Sequence, residues 1–228
     1  MHDSHRSSEF DQLLNRAKTL LVEMGTRVER QLADAIACLE SGSTLLIDQV
    51  LRHEAVINEL ERSVDALTGQ IIARRHPAAG DLRLMLAFIK MTTDLKRIGD
   101  EAKKIALRAK RISDDRWPTR PRHLEVAGMA RLATELVRQA LSALEQLDPS
   151  RVAEAAVRED EPDAALHGVL RELISYMIED PRTISSCLDM LFVAKSFERI
   201  GDHATNVFEH VVYAVKGDDL RHAPPFSS

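Results

Sequence analysis

The sequence predicts an all-α protein made of two tandem antiparallel three-helix bundles that are related by an internal repeat. The tetrapeptide Arg-Ile-Gly-Asp occurs at 97–100 and again at 199–202, which indicates that one unit is used twice. Apolar residues recur at steps of three and four in six long stretches, and this is the period of a helix. Gly and Pro are sparse, at 9 and 8 of 228 residues, while Ala, Leu, Glu and Arg abound, which favours helices over sheets.

The first half contains three predicted helices. The first spans residues 8–39 and ends at a Ser-Gly-Ser break. The second spans about 44–75 and ends where His-Pro-Ala-Ala-Gly interrupts the pattern. Asp81 is the predicted N-cap of the third helix, which runs to about residue 112.

The second half repeats this order. The fourth helix is predicted over 121–147, and Asp148-Pro149 then starts the fifth, because Asp caps a helix and Pro suits its first position. Asp180-Pro181 repeats that signal before the sixth helix, which runs to about Lys216 and ends at Gly217. These helices of about 30 residues suit narrow bundles, in which each buries one apolar stripe.

The boundary between the repeats is placed at the longest polar break, residues 113–118. The first repeat is therefore assigned to 1–115 and the second to 116–228. Cys38 and Cys187 each lie in an apolar helical context, so both are predicted to be small core residues rather than disulfide partners or nucleophiles.

Composition excludes several classes of protein. The formal net charge is -5, which argues against a nucleic-acid binder, because such a protein presents a basic face. No run approaches the roughly 18 apolar residues of a membrane span. The first ten residues contain no apolar signal-peptide core, so a cytoplasmic helical protein is expected.

The sixth helix carries the residues most suggestive of a ligand site. On a helical wheel, one side is apolar, and Lys195, Glu198, Asp202, Asn206 and Glu209 fall on the opposite, polar side. Glu198 and Asp202 are i,i+4 neighbours, and carboxylates one turn apart suit hard or borderline divalent cations. The alternatives are a solvated acidic face and a simple Glu198–Lys195 ion pair. Gly201 lies between the acids and predicts close packing, since glycine is costly inside a helix.

The equivalent strip of the third helix differs in charge. Lys96 takes the place of Glu198, and Asp100 matches Asp202. The Lys96 ammonium is expected near the position where a cation would bridge carboxylates, so this half would carry a built-in positive charge in place of a metal.

The middle helix of each repeat adds acids. Glu54 and Asn58 are four residues apart, and Asp160 and Asp163 are three apart with Pro162 between them. Pro162 is predicted to kink this helix unless the helix starts there. Solvated acids, or acids at a helix start, are the alternatives to ligands for both pairs.

No catalytic pattern is present in the sequence. It contains no Glu-x-x-His of a ferritin-like di-metal bundle, no phosphate-binding Gly-x-x-x-x-Gly-Lys loop and no Cys-x-x-Cys. His203 follows Asp202 but points about 100° away from it, so it is interpreted as a flanking residue rather than a ligand. No nucleophile lies beside a candidate base, so a non-enzymatic protein is expected.

Taken together, these residues resemble the PhoU family, phosphate-signalling regulators associated with the phosphate-specific ABC transporter. The resemblance covers nearly the whole chain, both repeats in order. It is carried by the duplicated Arg-Ile-Gly-Asp and by segments at 21–32, 73–84, 94–100, 176–184, 197–202 and 215–222.

The resemblance implies two three-helix bundles in a cytoplasmic protein, usually a homodimer, that represses the phosphate-starvation response when phosphate is plentiful. The implied partners are the sensor histidine kinase of the phosphate regulon and the ATPase subunit of the phosphate ABC transporter. Contact with the membrane is expected through these partners only, and no nucleic-acid partner is expected.

The resemblance also implies a metal site in each repeat, at a Glu/Asp-x-x-x-Asp motif together with acids of the middle helix. The matching residues of this chain are Glu198, Asp202, Asp160 and Asp163 in the second repeat, and Asp100 and Glu54 in the first. Divalent or ferric ions are the implied cofactors, with weaker or no binding at the first repeat because of Lys96. The alternative function is a metal-binding or metal-storage bundle with an indirect regulatory role, although a storage protein would hardly discard one of two ligand strips.

Overall fold

The computed structural model describes residues 2–75, 79–114, 124–148 and 161–217. Six α-helices occupy these ranges, and no strand lies within them. They are α1 (His2–Ser41), α2 (Thr44–Arg75), α3 (Ala79–Asp114), α4 (Leu124–Gln146), α5 (Glu161–Glu179) and α6 (Ile184–Lys216). Helices α1, α2 and α3 pack on one another, as do α4, α5 and α6, so the predicted pair of three-helix bundles is confirmed. The predicted boundary at 115/116 lies outside the described residues.

The two bundles meet mainly through their third helices. The contact between α3 and α6 is the most extensive between any two described helices, and α1 and α4 make a smaller one. Arg83 donates to the carbonyl oxygen of Ala214 at 3.4 Å at one end of this contact. Arg108 is 2.6 Å from Asp189 at the other end, so α3 and α6 run antiparallel.

The hydrophobic core follows the predicted helical stripes. The stripe of α6 is buried throughout, at Met190, Val193, Phe197, Ile200, Ala204, Val207, Phe208 and Val211. Cys38 and Cys187 are buried free thiols, as predicted. None of the described helices combines the length and the apolar composition needed to span a membrane.

The helix ends agree with most of the sequence signals. The Asp180 side chain accepts a hydrogen bond from the Arg182 backbone N–H and caps a short 3₁₀ turn, Pro181–Thr183, that leads into α6. Gly217 ends α6 with a left-handed φ of 85°, which a residue with a side chain rarely adopts.

The predicted role of Asp81 as an N-cap is wrong. Helix α3 begins at Ala79, and Asp81 lies in its first turn. A carboxylate there still faces the positive end of the helix dipole, which explains why the residue looks like a cap in the sequence. The described part of α5 begins at Glu161, with Pro162 in its first turn, where proline removes no helical hydrogen bond.

Candidate metal-binding and inter-repeat sites

In the first repeat, an ammonium group lies between two carboxylates. Lys96 of α3 donates to Glu54 of α2 at 3.0 Å and to Asp100 one turn further along α3. Lys103 lies 3.9 Å from the same Glu54 oxygen. Glu54 is buried, so its charge needs such a partner. The structure therefore places the Lys96 charge between the acids that the sequence suggested as ligands.

The charges of this cluster stabilise one another. Burial alone would lower the pKa of Lys96, but hydrogen bonds to Asp100 and Glu54 outweigh burial and raise it. Burial would raise the pKa of Glu54, but hydrogen bonds from Lys96 and Gln31 lower it. Both groups are thus ionised at neutral pH, and their donor and acceptor atoms are engaged. This arrangement does not fit a bound metal ion.

Gly99 makes room for the third member of the cluster. Gln31 of α1 donates to the other Glu54 oxygen at 3.3 Å and to the Val50 carbonyl at 3.2 Å. A Cβ atom on Gly99 would lie 2.8 Å from the Gln31 amide oxygen. The glycine of the first Arg-Ile-Gly-Asp motif therefore lets a buried amide reach the middle helix.

Among the described residues of the second repeat, no side chain bridges Glu198 and Asp202 in this way. Lys195 donates to one Glu198 oxygen at 2.6 Å, as the sequence allowed. The other oxygen, Oε2, is buried and accepts no hydrogen bond within the described chain. Only 9% of Glu198 is exposed, so the alternative of a solvated acidic face is wrong for this residue. The start of α5 packs across this face of α6, at Gly201.

Asp202 is in an unfavourable electrostatic position. Burial and, second, the neighbouring Glu198 carboxylate raise the pKa of Asp202, and Asp163 adds to the effect. His203 and Lys195 oppose the shift but do not cancel it. Two carboxylates with an unpartnered buried oxygen fit a cation, since a positive ion would relieve both penalties.

The ligand set seen at the second repeat is nevertheless incomplete. Within the described ranges, no three His, Cys, Asp or Glu side chains are arranged to hold a metal ion. Asp163 is near enough to affect Asp202 electrostatically, but it lies at the exposed start of α5, 3.7 Å from His167. Asp160 lies outside the described residues. Glu198 and Asp202 are therefore the core of the candidate site, and the metal site stays a prediction.

Gly201 is needed for close packing, as predicted. A Cβ atom there would lie 3.0 Å from Cγ of Pro162 and 3.4 Å from Cδ1 of Leu136. The second Arg-Ile-Gly-Asp motif thus brings α6 against the first turn of α5 and against α4. Gly99 and Gly201 thus both allow a side chain of another helix to approach the backbone closely, and the approaching residues differ between the repeats.

A buried polar cluster joins the two repeats, and sequence reasoning missed it. Asp94 of α3 lies 2.8 Å from His203 Nδ1 and 3.1 Å from His210 Nε2, and Asn206 donates to it at 3.1 Å. Burial would raise the pKa of Asp94, but these hydrogen bonds hold it well below its usual range. An ionised carboxylate only accepts, so both imidazoles must donate.

The signal for this cluster was present in the sequence. Asp94 directly precedes the apolar Leu95 on the inner side of α3, where a carboxylate needs a partner. His203 and His210 are seven residues apart and hence on one face of α6. His203 is therefore not a mere flank of Asp202 but part of the contact between repeats.

The contact of Glu101 with Ser196 is the counterpart of the contact of Asp94 with His203, with the two repeats exchanged. Residues 94 and 101 correspond to 196 and 203 in the second repeat. Ser196 of α6 donates to Glu101 at 2.8 Å, and Lys104 and Arg199 lie 2.8 and 3.4 Å from its other oxygen. Burial would raise the pKa of Glu101, but these partners, led by Lys104, lower it. The α3–α6 contact is thus pseudo-symmetric in position and asymmetric in chemistry.

Comparison with known proteins agrees with this two-repeat architecture. The sequence matches the PhoU domain family at residues 21–109 and again at 126–211. It is 40% identical to the phosphate-specific transport system accessory protein PhoU homolog of Pseudomonas putida, over 96% of this chain and 85% of that protein. Identity to the PhoU accessory protein of Escherichia coli K12 is 34%, over 96% of this chain and 90% of that protein.

Solved structures give the same result. The crystal structure of PhoU from Pseudomonas aeruginosa superposes with a TM-score of 0.87 at 38% identity, over 92% of this chain and all of that one. The phosphate transport system regulatory protein PhoU from Streptococcus pneumoniae shares the fold, with a TM-score of 0.82 at 20% identity over 92% of this chain and 98% of that one. The chain belongs to the PhoU family.

Proposed function

We propose that this protein is a non-catalytic regulator of phosphate uptake that represses the phosphate-starvation response when phosphate is abundant. It acts in the cytoplasm, as a homodimer, by coupling the ATPase subunit of the phosphate ABC transporter to the sensor histidine kinase of the phosphate regulon. The observation that carries this proposal is the match of both repeats, in order, to relatives named as accessory proteins of phosphate-specific transport.

The geometry supports a role in binding proteins. Two buried carboxylates hold helices together: Glu54 joins α2 to α3 through Lys96, and Asp94 joins α3 to α6. A rigid pair of bundles with long exposed helix faces offers large surfaces to partners. Regulation through docking requires such surfaces, whereas catalysis would require converging reactive groups.

The test is alkaline phosphatase activity in cells grown in abundant phosphate. Deleting the gene is expected to raise this activity, and restoring the intact gene is expected to lower it again. Activity that stays low after deletion would contradict the regulatory role. The partner assignment is tested separately, by whether the purified protein binds the cytoplasmic part of the kinase and the ATPase subunit.

We also propose that the second repeat holds one cation at Glu198 and Asp202, because the buried Glu198 Oε2 atom has no partner in the described chain. The cation would offset the repulsion between these carboxylates and fix α6 near the start of α5. Metal content of the dialysed protein, compared with that of Glu198→Gln/Asp202→Asn, measures this directly. Equal content in the two proteins would contradict it.

A further inference from the structure

Helix α3 carries a row of cations at regular spacing. Its members are Arg83, Lys90, Arg97, Lys104 and Arg111, one at every seventh residue. Residues seven apart are offset by only about 20° around a helix, so the row follows one side of α3 with a gradual drift. It extends for about 42 Å at a rise of about 1.5 Å per residue. We call this row, together with the adjacent Arg108, the α3 basic ridge.

The ridge borders the contact with α6, and its charged groups are held in place there. Lys90 lies 5.0 Å from the centre of the Tyr213 ring, and Arg108 lies 4.1 Å from that of Phe192. Lys104 binds Glu101 at 2.8 Å. A side chain that is already held loses less entropy when a partner binds it than a free one does.

The carboxylates that pair with ridge cations are more buried than the cations themselves. The Glu101 and Asp189 side chains are 7% and 14% exposed, whereas those of Lys104 and Arg111 are 52% and 63% exposed. Asp94 is buried as well. The surface that a partner meets is thus positive, although the whole chain has a net charge of -5.

Exposed apolar groups accompany these charges. Leu86 is exposed near the Arg83 end of α3, and Leu188 and Phe192 are exposed on the part of α6 that faces the Arg108 end. Phe192 is 49% exposed, with the Arg108 guanidinium stacked on its ring. Arginine and aromatic residues together are typical of protein interfaces.

The geometry points to a partner: we propose that the α3 basic ridge docks an acidic α-helix of another protein. An acidic helix that carries Glu or Asp every seventh residue, and lies roughly along α3, would match the row charge for charge. A membrane or a flexible polyanion would need no such period. The inference rests on the proposed function for the existence of a protein partner, and it adds that partner's chemistry.

The second repeat does not duplicate this surface. The residues of α6 equivalent to the row are Ser185, Phe192, Arg199, Asn206 and Tyr213, of which only one is charged. A partner that followed the pseudo-symmetry of the fold would therefore find a complete row of cations on α3 and the single cation Arg199 in the equivalent row of α6. The ridge therefore places the acidic helix over α3 rather than over α6.

The first experiment measures peptide binding by fluorescence anisotropy. The probes are a designed helical peptide with Glu at every seventh position and a peptide of the same composition with irregular spacing. The full-length protein is expected to bind the first peptide, with affinity that falls as salt rises, and to bind the second at least about tenfold more weakly. Equal binding of both peptides would overturn the match in spacing.

Variants locate the binding surface. Arg97→Glu with Arg111→Glu is expected to weaken binding of the regular peptide at least about tenfold. Arg52→Glu with Arg74→Glu changes the net charge equally on exposed positions of α2 and is expected to have little effect. Equal loss in both variants would overturn the assignment to the ridge. Binding to phosphatidylglycerol vesicles that depends on Arg97 and Arg111, without peptide binding, would assign the ridge to a membrane and overturn the proposal.

The same variants separate this inference from the proposed function in cells. If deletion of the gene leaves alkaline phosphatase low, the regulatory function itself is wrong. If the intact gene represses the enzyme and Arg97→Glu/Arg111→Glu represses it equally well, the regulatory function stands and the ridge inference is wrong. The expected result is loss of repression in this variant alone, with unchanged protein level and thermal midpoint.

Discussion

The two repeats have the same helical architecture, but the polar side chains at equivalent positions have different partners. Position 96 of the first repeat is a lysine that bridges Glu54 and Asp100, whereas its equivalent, Glu198, leaves one buried oxygen without a partner in the described chain. The first repeat satisfies its acids internally, whereas for the second we propose that a cation does so. The two repeats share close helix packing at Gly99 and Gly201, but they differ in the charge of the side chain at Lys96 and Glu198.

The contact between the repeats shows the same divergence. Asp94 of α3 is bound by three side chains of α6, whereas its equivalent, Ser196, is a neutral hydroxyl that donates to Glu101. A buried charge depends on its partners far more than a hydroxyl does. Removing Asp94 should therefore cost more stability than removing Ser196, its equivalent in the second repeat.

The largest expected effect comes from removing Asp94 from that contact. Asp94→Ala is expected to lower the free energy of unfolding by about 3–5 kcal/mol, because it removes hydrogen bonds to a buried carboxylate and leaves their donors unpaired. Ser196→Ala removes one hydrogen bond, and about 0.5–1.5 kcal/mol is expected. Urea unfolding of both variants measures the difference, and equal losses would contradict the asymmetry.

The acid stability of the protein should depend on the same residue. The pKa of Asp94 is lower in the folded protein than in the unfolded chain, so its ionised form stabilises the fold above the ordinary Asp pKa of about 4. This stabilisation is lost as the pH falls below that value. Asp94→Asn is expected to be less stable at pH 7 and to lose less stability on acidification. Parallel curves of unfolding free energy against pH would contradict this.

Close packing at Gly201 gives the next largest effect. Gly201→Leu is expected to lower the free energy of unfolding by about 1–3 kcal/mol, because its side chain would overlap the Pro162 ring and Leu136. Gly69→Leu is the matched control, since nothing lies within 4 Å of a Cβ atom there. This control is expected to be neutral or slightly stabilising, as leucine favours a helix more than glycine does. Similar losses in both variants would show that packing is not the cause.

The fourth prediction concerns the metal content of the two repeats. Lys96→Glu restores an acid at the position equivalent to Glu198 and removes the ammonium that occupies the first cluster. It is expected to increase the metal bound per chain, measured by elemental analysis after dialysis. Lys96→Met removes the charge without adding a ligand and is the control. An unchanged metal count in Lys96→Glu would show that Lys96 does not take the place of a cation.

The fold was predictable from the sequence because its signals are local and repeated. The apolar period, the Asp180-Pro181 start and the Gly217 stop each depend on a few neighbouring residues. The position of Glu198 was not predictable in the same way. Its wheel position is opposite the core of α6, and its burial depends on how other helices pack on α6, as α5 and α4 do at Gly201.

The candidate sites were only partly predictable for the same reason. The i,i+4 pair of Lys96 and Asp100 is fixed by one helix and was expected, but the approach of Glu54 depends on how α2 packs on α3. The cluster of Asp94 depends on contacts across 109 to 116 residues of sequence. No single helical wheel contains that information.

The smallest expected effects on stability come from neutralising the equivalent aspartates, Asp202 and Asp100, and they have opposite signs in the two repeats. Burial and Glu198 raise the pKa of Asp202, so its ionised form destabilises the fold at neutral pH, and this penalty disappears as the pH falls through the raised pKa. Asp202→Asn is therefore expected to stabilise the protein at pH 7. Asp100→Asn removes a partner of Lys96 and is expected to destabilise it.

Both changes are expected to stay below about 1 kcal/mol, because the Asp100 and Asp202 side chains are partly exposed to water. The measurement is the thermal midpoint of each variant in the presence of a chelator, since a bound cation would stabilise ionised Asp202 and hide its penalty. Repeating it with added divalent metal should reverse the sign for Asp202→Asn and leave Asp100→Asn unchanged. If the thermal midpoints of both variants shifted in the same direction under both conditions, the two aspartates would contribute to stability in the same way, which would contradict the prediction.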